Sequence, residues 1–97
     1  MPYFATTYTY VADSAEARDA ARPAHREYLA GVTERAGLLL SGPHVGGEPG
    51  ALLVFEAPTE DDARELTAND PFVLQGLVAE ITMREWEPVS GRLAELV

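Results

Sequence analysis

The order of strand-like and helix-like segments is the feature that most constrains how this chain can fold. Residues 3–11 are dense in β-branched and aromatic types and predict a first strand. Alternation along this strand puts four side chains on one face: Phe4, Thr6, Tyr8 and Tyr10. Asp13 and Ser14 then offer caps for an Ala- and Arg-rich stretch, so a helix is expected after the strand.

Pro23 divides this helical stretch, because a proline is tolerated in a first helical turn and is costly further in. We therefore expect a short turn over about 15–20 and the main helix from about 22 to 36. Gly37 follows as a natural C-cap.

Two further strands are predicted to form a hairpin. Residues 38–43 are a short apolar run that ends at a breaker, and residues 51–57 form the returning arm. The glycine-rich residues 45–50 between them predict a turn or flexible loop.

A second helix and a last strand complete the pattern. Thr59 is the expected N-cap, with acidic residues at the positive end of the helix dipole, and Asn69-Asp70-Pro71 stops the helix. Its inward face comprises Ala63, Leu66 and Thr67. The final strand is expected from Leu77 to Trp86 or Glu87, and the tail from Pro88 is expected to form a short helix through Leu93 and Leu96.

The resulting βαββαβ order predicts an α+β, ferredoxin-like fold with an antiparallel sheet and both helices on one face. A chain of 97 residues is long enough for one domain, so we assign residues 1–97 to a single domain. The second sheet face has no cover within the chain, and a second copy of the chain is the simplest candidate.

Charge and composition exclude several function classes. The net charge of −9 is not offset by any basic cluster, which argues against nucleic-acid and anionic-membrane partners. The chain has no cysteine and therefore no disulfide or thiolate chemistry. Its N-terminus lacks the features of a secretory signal, and no apolar run approaches the roughly 20 residues of a membrane span. A cytoplasmic protein is the expectation.

His25 lies within the apolar stripe of the predicted main helix. Five side chains share its face: Ala21, Tyr28, Leu29, Val32 and Ala36. A buried imidazole needs a partner, because an unpaired buried polar group costs about 1–3 kcal/mol. Asp70 is the candidate partner, and a histidine held by a carboxylate is a candidate general base. The same pair is also typical of a satisfied structural histidine.

Four other residues are candidates for binding a substrate. Arg22 lies about 60° from His25 around the helix and either binds a substrate anion or forms a salt bridge with Asp70 or with surface carboxylates. Ser41 ends a strand and can donate a hydrogen bond to a ligand. Tyr8 and Phe72 suit an aromatic-compatible pocket, although aromatic side chains in such positions are often simple core.

The sequence gives no support for a metal or a cofactor. His25 and His44 lack clustered carboxylates at ligand spacing, and His44 is expected to be an exposed loop residue. The glycines fit neither a P-loop nor a dinucleotide-binding motif, and no nucleophile elbow is present. We therefore predict no metal site and no cofactor.

The chain resembles the YCII-related (YciI-like) family in the order and spacing of several motifs. The matching segments are Arg22-Pro23-Ala24-His25, Gly37-Leu38-Leu39-Leu40-Ser41-Gly42-Pro43, and Asp70-Pro71-Phe72 with Gly76-Leu77, together with the first-strand tyrosines and Trp86. The resemblance implies a ferredoxin-like subunit in a dimeric α+β barrel whose paired sheets enclose a cleft. It also implies an active site built around a histidine and an aspartate, which match His25 and Asp70.

Some members of that family are linked to enzymology, including dehydrochlorination in chloroaromatic breakdown. This sequence departs from the pattern in two places. Glu85 stands where many relatives carry a proline, which should alter only the edge of the last strand. The hairpin loop at 44–50 is short, which changes the rim of the cleft.

Three hypotheses follow for function. The first is a small cofactor-independent enzyme of lyase or isomerase type, in which His25 acts as acid or base on a small phenolic or carboxylated substrate in a dimer cleft. The second is a non-catalytic ligand-binding or accessory module that uses the same cleft. The third makes the His25–Asp70 pair a device that stabilises the fold or the dimer.

Overall fold

The computed structural model describes residues 1–35 and 37–96, which form four strands and three helices. The strands are β1 (Tyr3–Tyr10), β2 (Leu38–Pro43), β3 (Gly50–Glu56) and β4 (Val78–Trp86). The helices are α1 (Ala15–Arg35), α2 (Glu60–Ala68) and α3 (Pro71–Leu74), and a 3-10 turn follows at Ala94–Leu96. The βαββαβ order is therefore as predicted, with α3 as an additional turn of helix.

The strands form one antiparallel sheet in the order β2-β3-β1-β4. Strand β1 lies between β3 and β4, so Tyr8 is opposite Ala51 on one side and Ile81 on the other. The inner face of β1 is buried as the alternation predicts, with Phe4, Thr6 and Tyr8 almost wholly inaccessible. This is the ferredoxin-like arrangement of an α+β protein.

The predicted division of the first helical stretch at Pro23 is wrong, because α1 runs without a break from Ala15 through Pro23 to Arg35. Proline in a helix interior removes one hydrogen bond and costs about 3 kcal/mol. Packing on both sides of the proline offsets this cost, since Ala21 is buried with Phe72 and Val32 is buried in the main core. The predicted helix end at Ala36 lies outside the described residues.

Gly37 has the role expected after α1. Its φ of +109° is one that glycine adopts without strain, and its N–H donates to the Val32 carbonyl at 2.9 Å. A Cβ atom at this position would lie 2.5 Å from the Glu56 backbone oxygen. The chain can therefore turn from α1 directly into β2 only with glycine here.

Thr59 caps α2 as predicted, since its side chain accepts a hydrogen bond from the Asp62 N–H. Ala63 and Thr67 are buried and Leu66 is partly buried, which confirms the predicted inward face. The predicted stop at Asn69-Asp70-Pro71 is also present, but the chain then forms α3 instead of a loop.

The opposite side of the sheet, called the outer face here, includes the apolar or aromatic side chains of Tyr3, Leu40, Leu52, Val54 and Trp86, and the same register adds Thr7, Thr82 and Arg84 to it. Leu40, Leu52 and Trp86 are exposed. The C-terminal tail lies beside this face, and Leu93 and Leu96 help to line the groove between them. An apolar surface therefore stays open on the side that carries no helix.

Candidate active site

Asp70 is fully buried, and local sequence fixes its position. Pro71 biases the residue before it to an extended conformation, and Asp70 has φ −67° and ψ 129°. This backbone makes Asp70 the N-cap of α3, where its Oδ1 accepts the Phe72 N–H at 3.0 Å. The carboxylate is thereby held beneath α1 with none of its surface exposed.

His25 meets this carboxylate from α1. Its Nδ1 lies 2.7 Å from Asp70 Oδ1, which is a charge-assisted hydrogen-bond distance. A carboxylate only accepts hydrogen bonds, so Nδ1 carries the hydrogen and Nε2 is the basic nitrogen of the neutral ring. The two side chains, 45 residues apart in the sequence, are therefore in direct contact.

Tyr8 supplies a further donor to Asp70. Its hydroxyl donates to Oδ2 at 2.9 Å, and both side chains are buried. Burial, followed by the neighbouring Asp70 charge, raises the pKa of Tyr8 well above its ordinary value of 10. Tyr8 is therefore a neutral, permanent donor at physiological pH, and its hydroxyl is already engaged with Asp70.

Phe72 fixes the plane of the His25 ring. The two rings are parallel, with their centroids 3.9 Å apart and an interplanar angle of 1°. Tyr10 in turn meets Phe72 edge to face at 5.7 Å. The imidazole is thus held by a hydrogen bond at one edge and by an aromatic wall on one face.

The His25 ring lies on a cleft of about 650 Å³ that is formed within one chain, between α1, the inner sheet face and the β2–β3 loop. The prediction places the site in a cleft between the paired sheets of a dimer, whereas this cleft is on the helical side of the sheet, opposite the outer face. The predicted binding residues Arg22, Ser41, Tyr8 and Phe72 all line this cleft, whereas Asp70 lies behind its wall. The His25 side chain is 14% exposed and borders the cleft, so it is partly accessible to solvent. A small molecule in the cleft could accept a proton from the imidazole or donate one to it.

Arg22 does not pair with Asp70, which was one of its predicted alternatives. It forms an ion pair with Asp19 on the preceding turn of α1. Its side chain remains one-third exposed and borders the cleft.

Sequence reasoning missed two further arginines and underestimated one histidine at the cleft. Arg18 and Arg26 line it together with Arg22, and their spacing of four residues along α1 is the signal that was available. His44 is exposed, as predicted, but it lies on the β2–β3 wall of the same cleft. Within residues 1–35 and 37–96, no group of three or more His, Asp or Glu side chains is placed to hold a metal ion.

Arg18 is the most firmly positioned of these cations. Its Nε donates to the Ser14 hydroxyl at 3.0 Å, and its guanidinium lies 4.5 Å from the centroid of the Tyr10 ring. Burial raises the pKa of the Tyr10 hydroxyl, while the charges of Arg18 and Arg22 act in the opposite direction. Both arginines therefore direct positive potential towards the Tyr10 side of the cleft.

None of the described helices is both long enough and apolar enough to span a membrane.

Comparison with known proteins places this architecture in a family. The sequence model of the YCII-related domain matches residues 1–87. A curated relative, derivative of benzaldehyde biosynthesis cluster protein C from Emericella nidulans, is 30% identical over 78 residues. The match spans 70% of this chain and 80% of that protein.

Solved structures agree with the fold. The 5-chloro-2-hydroxyhydroquinone dehydrochlorinase from Burkholderia phenoliruptrix, solved in complex with 2,5-dihydroxybenzoquinone, superposes with a TM-score of 0.78 and 25% identity. The superposition covers 87% of this chain and 92% of that one. A protein from Agrobacterium tumefaciens shares the fold alone, with a TM-score of 0.59, 14% identity and coverage of 92% and 94%. The fold is that of the dimeric α+β barrel subunits.

Proposed function

This chain belongs to the YCII-related domain family, and from that premise we propose that it is a small acid–base enzyme. His25 is the proposed proton-transfer group and Asp70 its positioning partner. One observation carries the proposal: a fully buried carboxylate holds Nδ1 of an imidazole whose ring borders an open cleft. Burying a carboxylate costs solvation free energy. We propose that Asp70 is nevertheless buried because its carboxylate orients the catalytic imidazole.

In the proposed mechanism, Nε2 of His25 takes a proton from the substrate and later returns one. Asp70 stabilises the imidazolium that forms between these steps, and the Tyr8 hydroxyl and Phe72 N–H keep its carboxylate in place. The stacked Phe72 ring prevents the imidazole from turning away. All of the chemistry assigned here uses side chains of the chain itself.

The proposed substrate is a small ring that carries hydroxyl groups, and the proposed reaction class is elimination or isomerisation. The dehydrochlorinase relative supports this class, since its named substrate is a chlorinated hydroxyhydroquinone. On that compound, His25 would move a hydroxyl proton to the ring carbon that bears chlorine. Loss of a second hydroxyl proton would then expel chloride with the C–Cl bonding pair, leaving hydroxybenzoquinone. The carbon is reduced by the two electrons that the hydroquinone loses, so no external oxidant is needed.

The test is chloride release from 5-chloro-2-hydroxyhydroquinone, followed by ion chromatography beside the uncatalysed rate. His25→Gln is expected to lower kcat/KM by about 10²–10⁴-fold, the usual contribution of a general acid or base. Asp70→Asn is expected to lower it by about a hundredfold or more, because the tautomer and orientation of His25 are lost. Asp61→Asn, an exposed carboxylate in the first turn of α2, is the matched control.

Other outcomes would identify the alternative functions. Saturable binding of 2,5-dihydroxybenzoquinone without turnover of any hydroxylated ring, unchanged in His25→Gln, would indicate a non-catalytic binding module. A large loss of unfolding free energy in His25→Ala without any effect on ligands would indicate a purely structural pair.

The proposal also includes self-association through the outer face. This face exposes Leu40, Leu52 and Trp86, which a monomer would leave in water. The fold occurs in dimeric α+β barrels, in which two sheets face each other. A second copy of the chain is the proposed cover.

A further inference from the structure

The cleft has an unusual charge for this molecule. The chain carries 16 acidic and seven basic side chains, yet among the described residues no aspartate or glutamate lines the cleft. Three of the seven arginines do line it, namely Arg18, Arg22 and Arg26, together with both histidines. An acidic protein thus has a basic site at its candidate active centre.

The three arginines form one row along α1. Their spacing of four residues places them on successive turns, about 6 Å apart at 1.5 Å rise per residue. His25 is adjacent to Arg26 in the sequence and three residues from Arg22, so the row passes beside the proposed proton-transfer group. Like charges on successive turns repel one another and destabilise a helix. An anion bound between these arginines would relieve that repulsion.

Protein carboxylates neutralise only one of these three charges. Arg22 pairs with Asp19, which is largely exposed, and neither Arg18 nor Arg26 forms an ion pair within residues 1–35 and 37–96. Asp70 is buried behind the wall and is engaged by His25, Tyr8 and the Phe72 N–H. Arg18 and Arg26 therefore border the cleft without a carboxylate partner, and Arg22 shares its charge with an exposed one.

From this arrangement, and resting on the proposed function, we infer that the cleft selects a hydroxylated aromatic acid whose carboxylate is bound by Arg22 and Arg26. The planar fork of arginine matches a carboxylate through paired hydrogen bonds. The remaining wall suits the ring, since Tyr10, Leu29 and Phe72 also line the cleft. Arg18 is held against Tyr10 and contributes charge near that wall. A volume of about 650 Å³ accommodates a single-ring acid.

The experiment compares two probes of nearly the same shape, 2,5-dihydroxybenzoic acid, which carries a carboxylate, and 2,5-dihydroxybenzamide, which carries a neutral amide in its place. Isothermal titration calorimetry on the wild-type protein is expected to show at least about tenfold tighter binding of the acid, as charge-assisted hydrogen bonds require. Arg22→Met and Arg26→Met should each weaken binding of the acid while changing the dissociation constant of the amide by no more than about twofold. Raised salt should weaken binding of the acid more than binding of the amide.

Arg64→Met is the matched control, because Arg64 is an exposed arginine of α2 that pairs with Glu60. Equal affinity for acid and amide, binding of neither probe, or an equal loss in Arg64→Met would each overturn the inference. His25→Gln separates it from the proposed function, since the preference for the acid should survive in a variant that has lost turnover. If the wild-type protein prefers the acid to the amide but turns over no hydroxylated ring, the proposed enzymatic function is refuted and the inference about the arginines is not. If turnover depends on His25 but the acid and the amide bind equally, the assignment of Arg22 and Arg26 is refuted and the proposed function is not.

Discussion

At the scale of single residues, Tyr8 determines how firmly Asp70 is held. Its hydroxyl is the donor to Oδ2, whereas Oδ1 is shared by His25 and the Phe72 N–H. Tyr8→Phe removes this donor from a buried carboxylate and is expected to lower the free energy of unfolding by about 1–3 kcal/mol at neutral pH. Urea denaturation measures the change. Tyr3→Phe, on the outer face of the same strand, is the control and should lower the free energy of unfolding by less than Tyr8→Phe does.

The raised pKa of Tyr8 gives this pair a specific pH dependence. The folded protein keeps Tyr8 protonated above pH 10, whereas the unfolded chain ionises it there, so its contribution is complete below pH 10 and is lost as the pH rises beyond that value. Wild-type stability should therefore fall by about 1.4 kcal/mol per pH unit more steeply than that of Tyr8→Phe above pH 10. Urea denaturation between pH 8 and 11 measures the difference, and a constant gap would contradict it.

The sequence was sufficient to propose Asp70 for His25, because a polar ring on an apolar stripe needs a partner and the family resemblance implies a histidine and an aspartate that match these two positions. It was not sufficient for Tyr8. Strand alternation correctly put Tyr8 on the buried face, but its acceptor lies 62 residues away. Only the packing of β1 against α3 decides whether that hydroxyl meets a ligand or a carboxylate.

At the scale of elements, the continuity of α1 through Pro23 has a measurable consequence. Pro23 is exposed, so replacing it changes the helix backbone and little else. Pro23→Ala restores one backbone hydrogen bond, but it also makes the unfolded chain more flexible, which offsets part of the gain. The net effect is expected to be a rise of about 1–2 kcal/mol in the free energy of unfolding. Urea denaturation with circular dichroism measures this. Pro58→Ala, outside the helices, is the control, and no gain in Pro23→Ala would favour the broken helix that local rules predict.

The same element shows why some of the fold could be predicted and some could not. Alternation, caps and breakers were sufficient for the βαββαβ order, because each depends on neighbours in the sequence. The unbroken α1 depends on the burial of Ala21 against Phe72 and Leu77, which are far along the chain. The turn of α3 likewise depends on Asp70, whose side chain accepts the Phe72 N–H at the start of the helix. An Asp-Pro pair is equally typical of a loop, so the sequence alone did not predict this helix.

At the scale of the whole molecule, charge and apolar surface act in opposite directions on self-association. Two copies with a net charge of −9 repel each other, whereas pairing would bury the exposed leucines and Trp86 of the outer face. Repulsion between distant surface charges is screened by salt, and burial of apolar area is not. If the outer face is the interface, dimerisation should therefore strengthen as salt is raised.

Leu52→Arg tests this interface directly, because Leu52 lies on β3 at the centre of the outer face and is already exposed in the isolated chain. The variant should fold normally yet raise the dimer dissociation constant by about a hundredfold or more, since it buries an unpaired charge at the interface. Sedimentation equilibrium at micromolar concentration measures the shift from dimer to monomer. Leu74→Arg places the same charge at an exposed leucine of α3, on the helical side of the molecule, and should leave the dimer unchanged. Equal dissociation in both variants, or a monomeric wild-type protein at every salt concentration, would show that the outer face has no second copy as its cover.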